Sequence, residues 1–158
     1  MRTKFILILG GVFIVSGLFA TAGAQDPPGG AQAPGAGTAT AVAKTVNDGI
    51  YTEAQAKRGD VLYKEQCATC HGDNLEGSGP MPALAGKDFL ASWQGKSVGD
   101  LFEKTHTTMP ATAPGSLTPA QTADIVAYML AASRYKVGSS ELESKSEALN
   151  QIKIEAPK

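Results

Sequence analysis

The sequence predicts an all-α fold built from three to four short helices, and three observations lead to it. Helix-start signals recur at Thr52 with Gln55, at Ser97 with Asp100, and at Thr118-Pro119 with Gln121. The apolar positions that follow keep helical spacing, most clearly Ile125, Tyr128, Met129 and Ala132. Glycine (18) and proline (9) interrupt the 158-residue chain often enough to keep each element short.

The first segment is a leader rather than part of the fold. Arg2 and Lys4 precede an apolar run from Phe5 to Ala20, and Ala22-Gly23-Ala24 forms a small-residue exit before Gln25. This is the pattern of a secretory signal peptide over residues 1–24. The run is shorter than the ~20 residues that cross a bilayer comfortably, so cleavage is expected over retention as a membrane anchor. In either case the remainder is exported, to the periplasm or its equivalent. Residues 25–49 read as a linker. They hold Pro27, Pro28, Pro34, Gly29, Gly30, Gly35, Gly37 and many alanines, with almost nothing large and apolar to bury. A coil of about 24 residues spans roughly 25–30 Å.

The helical domain is expected over residues 50–135. Thr52 opens a first helix that continues to Glu65, with Ala56, Gly59, Val61, Leu62 and Tyr63 on its buried face. Gly59 and Tyr63 lie one turn apart on one side. A helical glycine costs up to ~1 kcal/mol, so Gly59 is expected to permit a close helix–helix contact. Gly77, Gly79, Pro80, Pro82 and Gly86 make residues 72–95 turn-rich. Ser97 starts a second helix through about Thr105, with Val98, Leu101 and Phe102 inward, and Pro110 and Pro114 end it. The last helix starts at Thr118-Pro119. Residues 136–158 form a tail in which Leu142, Leu149, Ile152 and Ile154 point to packing against an undetermined surface, and residues 144–151 read as helical. A domain of about 85 residues with so few helices needs a staple.

Charge and cysteine content exclude several classes. A formal net charge of −1 leaves no electrostatic footprint for nucleic acid. Two cysteines rule out a multi-disulfide secreted scaffold. Repeats at solenoid periods are not visible.

The staple is Cys67-Ala68-Thr69-Cys70-His71. C-x-x-C-H is the attachment pattern of a c-type haem. Two thiols at this spacing reach the vinyl groups on one edge of the macrocycle, and the histidine that follows supplies an imidazole nitrogen to the iron. A zinc site would need about four ligands, and no second cysteine pair exists. A thioredoxin-like pair belongs in a βαβ context that is not visible here. A disulfide across so small a loop would constrain little. One haem c, covalently bound, is therefore the expected cofactor.

The stretch Tyr51 to Tyr135 resembles class I monohaem c-type cytochromes. The resemblance rests on YTEAQAKRGDVLYKEQCATCHG, LEGSGPMPALAG, TTMP and LTPAQTADIVAYMLAAS, which occur in the family's order. It implies a small fold in which the first and last helices cross while a loop-rich middle wraps the haem, with Gly59 and Tyr63 meeting Tyr128 at the crossing. The chain is most similar to small cytochromes associated with quinoprotein (PQQ) alcohol dehydrogenases, a likeness that includes Trp93 in FLASWQG.

The resemblance also implies the remaining site residues. Met109, before Pro110, matches the family's second axial ligand; His106, Met81 and Met129 are the other candidates. Met81 falls in the family's proximal loop and is expected to pack, Met129 to be core, and His106 to be exposed or near a propionate. His/Met ligation fills both axial positions. Pro82 is expected to orient His71 through its carbonyl, since such a bond fixes the tautomer of a ligating histidine. Leu84 and Phe102 are expected to line the haem pocket, and Trp93 to donate to a propionate or to sit as a half-buried aromatic. Lys57, Arg58 and Lys64 read as a solvated face.

These readings combine into an exported one-electron carrier that is not itself an enzyme. Its expected partners are redox proteins, among them a PQQ-dependent dehydrogenase and a terminal oxidase, and a membrane only if residues 1–24 are retained. Two alternatives stand beside it. One is a tethered cytochrome subunit of a dehydrogenase or oxidase complex. The other is a haem enzyme or gas sensor with an open distal site.

Overall fold

A computed structural model describes residues 44–158. The leader over residues 1–24, and the linker as far as residue 43, lie outside the described residues. The elements in chain order are β1 (Lys44–Thr45), a 3-10 turn (Val46–Asp48), α1 (Glu53–Gln66), α2 (Ala68–His71), α3 (Gly86–Trp93), α4 (Val98–Thr108), α5 (Pro119–Ala132), α6 (Ser146–Leu149) and β2 (Ile152–Lys153). No helix among the described residues is long and apolar enough to cross a membrane.

The expected crossing forms between α1 and α5. Gly59 makes it possible: a Cβ there would overlap the Asp124 carbonyl and lie 2.9 Å from the Tyr128 Cβ. One turn further on, the Tyr63 and Tyr128 rings meet at 5.4 Å and 50°. Such tilted pairs contribute beyond their area burial, by about 0.5–1.5 kcal/mol. Val61 is a correction to the expected buried face. It is 55% exposed, because it sits two residues past Gly59 and so points away from α5.

Helix caps follow the sequence signals with one informative departure. Thr118 and Gln121 form a full capping box with Pro119 in the first turn, and Ser97 and Asp100 form another. Thr52 accepts from the Gln55 N–H, but the Gln55 side chain does not return to cap Thr52. It instead holds the backbone of Leu142 from both sides: its Nε2 donates to the Leu142 carbonyl at 3.0 Å and its Oε1 accepts from the Leu142 N–H at 2.6 Å.

The α3 helix corrects the turn-rich reading of residues 72–95. Gly86 opens it and Gly95 lies beyond its end, both with positive φ (75° and 84°), so these glycines bound the helix instead of breaking it. Phe89, fully buried, fixes α3 to the core.

Packing reaches past residues 50–135 on both sides. Val46 is fully buried, and β1 pairs with β2 in parallel register, Lys44 with Ile152 and Thr45 with Lys153. Leu142, Leu149, Ile152 and Ile154 are buried in the same core cluster. The tail is thus a strap. Its α6 and β2 lie on α4, where the Asn150 side chain occupies the space a Cβ at Gly99 would take. Tyr51 Oη donates to the Tyr135 carbonyl and Tyr135 Oη to the Glu155 carbonyl, both at 2.6 Å.

Arg58 is exposed, as expected of a solvated face, but its contacts reach further than those of its neighbours. Lys57 and Lys64 pair with Glu53 and Asp60 one turn away, as solvated faces do. Arg58 instead forms a two-bond fork to Asp124 of α5 and a second to Glu141 of the strap, each bond 2.9–3.0 Å. The Asp124 bonds first and the Glu141 bonds second hold its guanidinium well above the usual range.

Candidate functional site

The C-x-x-C-H segment folds as one tight helical turn. Tyr63 accepts at its carbonyl from the Cys67 N–H (2.8 Å), and the Cys67 carbonyl accepts from both Cys70 and His71 N–H groups at 3.0 Å. Cys67 and Cys70 are not joined in a disulfide; the first is half-buried and the second exposed. Burial, with a smaller contribution from Cys70, pushes the Cys67 thiol up to about 11.

His71 is buried, 6% exposed. Its Nδ1 lies 2.9 Å from the Pro82 carbonyl, which can only accept, so Nδ1 carries the proton and Nε2 is left as the free lone pair. Among the described residues Nε2 has no hydrogen-bond partner, and none of their sealed side-chain nitrogens or oxygens lacks one. Nε2 therefore faces accessible space. Two thiols and a tautomer-locked imidazole in one helical turn match the donor set of a c-type haem.

The loop that brings Pro82 to His71 is itself braced. The His71 carbonyl accepts from the Gly77 N–H (2.8 Å), and Leu84 N–H donates to the Leu75 carbonyl (2.8 Å). Leu75 is buried at φ 60°, a left-handed conformation that costs a branched residue of order 1 kcal/mol and persists only where its surroundings enforce it. Tyr63 Oη donates to the Gly72 carbonyl at 2.6 Å. Burial first, then the neighbouring Cys67, Tyr128 and Glu76, push its phenol up to about 12, so it stays a donor at neutral pH. Sequence reasoning missed Leu75 and this Tyr63–Gly72 bond; the glycine directly after His71 was the one available signal.

Met109 caps α4 with extended backbone and is half-buried. Its N–H donates to the Thr105 carbonyl at 3.0 Å. Phe102 is buried, and Leu84, Cys67 and Trp93 pack against the same hydrophobic cluster. Trp93 lies 6.3 Å from Phe89 with the Lys96 ammonium 4.8 Å over its ring. Met129 is core, as expected. Met81 is not packed but 38% exposed, since it closes the Ser78–Met81 turn. His106 is neither exposed nor free. It is half-buried, and its Nδ1 is 3.2 Å from Thr122 Oγ1 on α5. A groove of about 560 Å³ beside Leu75, Ala85, Leu90 and Tyr135 contains none of the expected ligands.

Residues 54–129 match the family described as cytochrome C oxidase, cbb3-type, subunit III. Cytochrome c-551 of Bacillus subtilis (strain 168) is 44% identical over 45 residues, which are 28% of this chain and 40% of that protein. The crystal structure of the sulfane dehydrogenase SoxCD from Paracoccus pantotrophus aligns with a TM-score of 0.45 at 24% identity, over 78% of this chain and 66% of that one. The chain thus spans less than two thirds of either relative's length. The C-x-x-C-H turn, the small all-α cytochrome c fold and the match over residues 54–129 together support a c-type cytochrome.

Proposed function

We propose that the chain is an exported monohaem cytochrome that carries single electrons between a donor dehydrogenase or respiratory complex and an acceptor such as a terminal oxidase. The observation that carries this reading is His71: it follows two thiols directly, its Nδ1 is committed to the Pro82 carbonyl, and its Nε2 faces accessible space. Haem c, when bound, supplies a one-electron ferric/ferrous couple. Cys67 and Cys70 would hold the group through thioethers, and His71 and Met109 would supply a nitrogen and a sulfur to its iron. Pro82 keeps the His71 ring oriented and its tautomer fixed. Leu84, Phe102 and Trp93 keep the pocket dry. A quinoprotein alcohol dehydrogenase is one candidate donor.

A tethered subunit of an oxidase or dehydrogenase complex is the second reading. The apolar run from Phe5 to Ala20, followed by a linker long enough for the domain to swing, favours it. Intact mass and membrane fractionation separate the two, through retention or loss of residues 1–24.

The test is an absorption spectrum of the purified protein, ferric and ferrous, with and without carbon monoxide. A low-spin spectrum with the weak ferric methionine–iron charge-transfer band and no response to carbon monoxide is expected. Met109→Ala is expected to lose that band and bind carbon monoxide. An unchanged spectrum in this variant would move the axial role to His106 or Met81. A high-spin wild type would replace the carrier with an enzyme or sensor.

A further inference from the structure

Among the described residues, the hydrogen bonds of the segment that carries Met109 reach the rest of the fold at one point. Thr105 is buried and Leu117 is the next buried residue; residues 106–116 between them are half-buried or exposed. The hydrogen bonds of this stretch are local. Thr105, Thr107 and Thr108 hydroxyls donate to the Leu101, Glu103 and Lys104 carbonyls of their own helix. Met109 N–H donates to Thr105, Ala113 to Pro110 and Ser116 to Ala113. Threonines that bond back in this way slightly weaken and bend a helix end.

His106 is the exception. The Thr122 hydroxyl donates to the Thr118 carbonyl at 3.1 Å, so its oxygen accepts from His106 Nδ1–H at 3.2 Å. The ring also stacks on Phe102 at 5.8 Å and 28°, which limits its rotation. Thr122 is fully buried on α5, a helix already fixed by the crossing with α1.

We infer that His106 is a positioning residue for Met109: its hydrogen bond to Thr122 holds the end of α4, and with it the methionine, against α5. The inference rests on the proposed axial role of Met109. It gives His106 a role distinct from that of a competing ligand.

Three variants of the haem-loaded protein test it. Thr122→Val removes the acceptor while keeping the shape, His106→Leu removes the donor, and Thr122→Ser keeps the hydroxyl. Each is titrated with denaturant while the methionine–iron band and the helical circular dichroism are followed together. Amide hydrogen exchange of residues 106–116 is measured alongside. Thr122→Val and His106→Leu are expected to lose the band before the helices unfold and to exchange faster over 106–116. The methionine-off population should rise about fivefold, the ratio set by one hydrogen bond of ordinary net strength. Thr122→Ser is expected to follow the wild type. The inference is overturned if band and helix signals move together in every variant, or if exchange over 106–116 is unchanged. A wild type that lacks the band would instead overturn the Met109 assignment, so the two failures are distinguishable.

Discussion

The two sides of the proposed iron site are held in opposite ways. On the proximal side His71 sits in a helical turn, and its ring, its carbonyl and the residue after it are each bonded to a different part of the fold, through Pro82, Gly77 and Tyr63. On the distal side Met109 ends a helix whose last turn bonds mostly to itself, with His106–Thr122 as its link across to α5. His71 is thus held by several separate hydrogen bonds, and the end of α4 that carries Met109 by few. Low local contact and exposed backbone mark the parts of a fold that open first. On the proposed ligation, His71 is therefore the more firmly held of the two residues, and Met109 is the one that exchange or mutation reaches.

The largest effect should come from removing the covalent anchors on the proximal side. Cys67→Ala with Cys70→Ala is expected to abolish haem stain in a denaturing gel. Retained stain would remove the attachment claim, and with it one reason for calling the proximal side the more firmly held.

The next effect tests what supports that side. Gly59→Ala places a Cβ on the Asp124 carbonyl, which is backbone and cannot swing away. Forcing α1 off α5 is expected to cost roughly 2–3 kcal/mol in chemical denaturation, at the upper end for overpacking. The same change should leave the methionine–iron band intact at low denaturant, because Met109 lies on neither helix. If the band fails first, the division between the two sides is wrong.

How much of this was legible in the sequence follows the range of the interactions. The C-x-x-C-H turn, the caps at Ser97 and Thr118 and the Gly59 contact depend on residues within one turn, or on the space a missing Cβ leaves, and the sequence carries them directly. The α3 helix was hidden because glycine reads as an interruption until its φ shows that it bounds the element. Arg58 read as a surface charge because its partners, Asp124 and Glu141, lie far along the chain. The half-burial of His106 was hidden for the same reason, since its partner Thr122 is on another helix. The apolar residues of the tail announced burial but not location, because location required pairing residues 44–45 with 152–153.

The strap belongs with the distal side, since α6 and β2 lie on α4. Gln55→Ala removes both bonds to the Leu142 backbone and leaves that residue's N–H and carbonyl without their partners. A cost of about 2 kcal/mol is expected, with faster proteolysis across residues 136–145. The strap should release before the α1–α5 crossing unfolds. Loss of both together would mean that the strap and the crossing open as one unit, and the strap would not be a separate support for α4.

A second anchor of the same strap, a few ångströms of chain away, should matter least. Arg58 and Glu141 are each about half exposed, at 48% and 52% of their side chains. An ion pair in that setting gains little over its hydrated partners and is screened by salt. Glu141→Gln is therefore expected to lower stability by less than about 1 kcal/mol, and raising the salt concentration should shrink the difference further. Arg58 keeps its fork to Asp124, whose side chain is only 12% exposed, so the helix crossing does not depend on Glu141. Two contacts on neighbouring residues, one neutral and buried, the other charged and wet, would then differ severalfold in cost, with the neutral pair the larger. A Glu141→Gln variant that loosens the strap as much as Gln55→Ala would reverse that order and make the strap responsive to ionic strength.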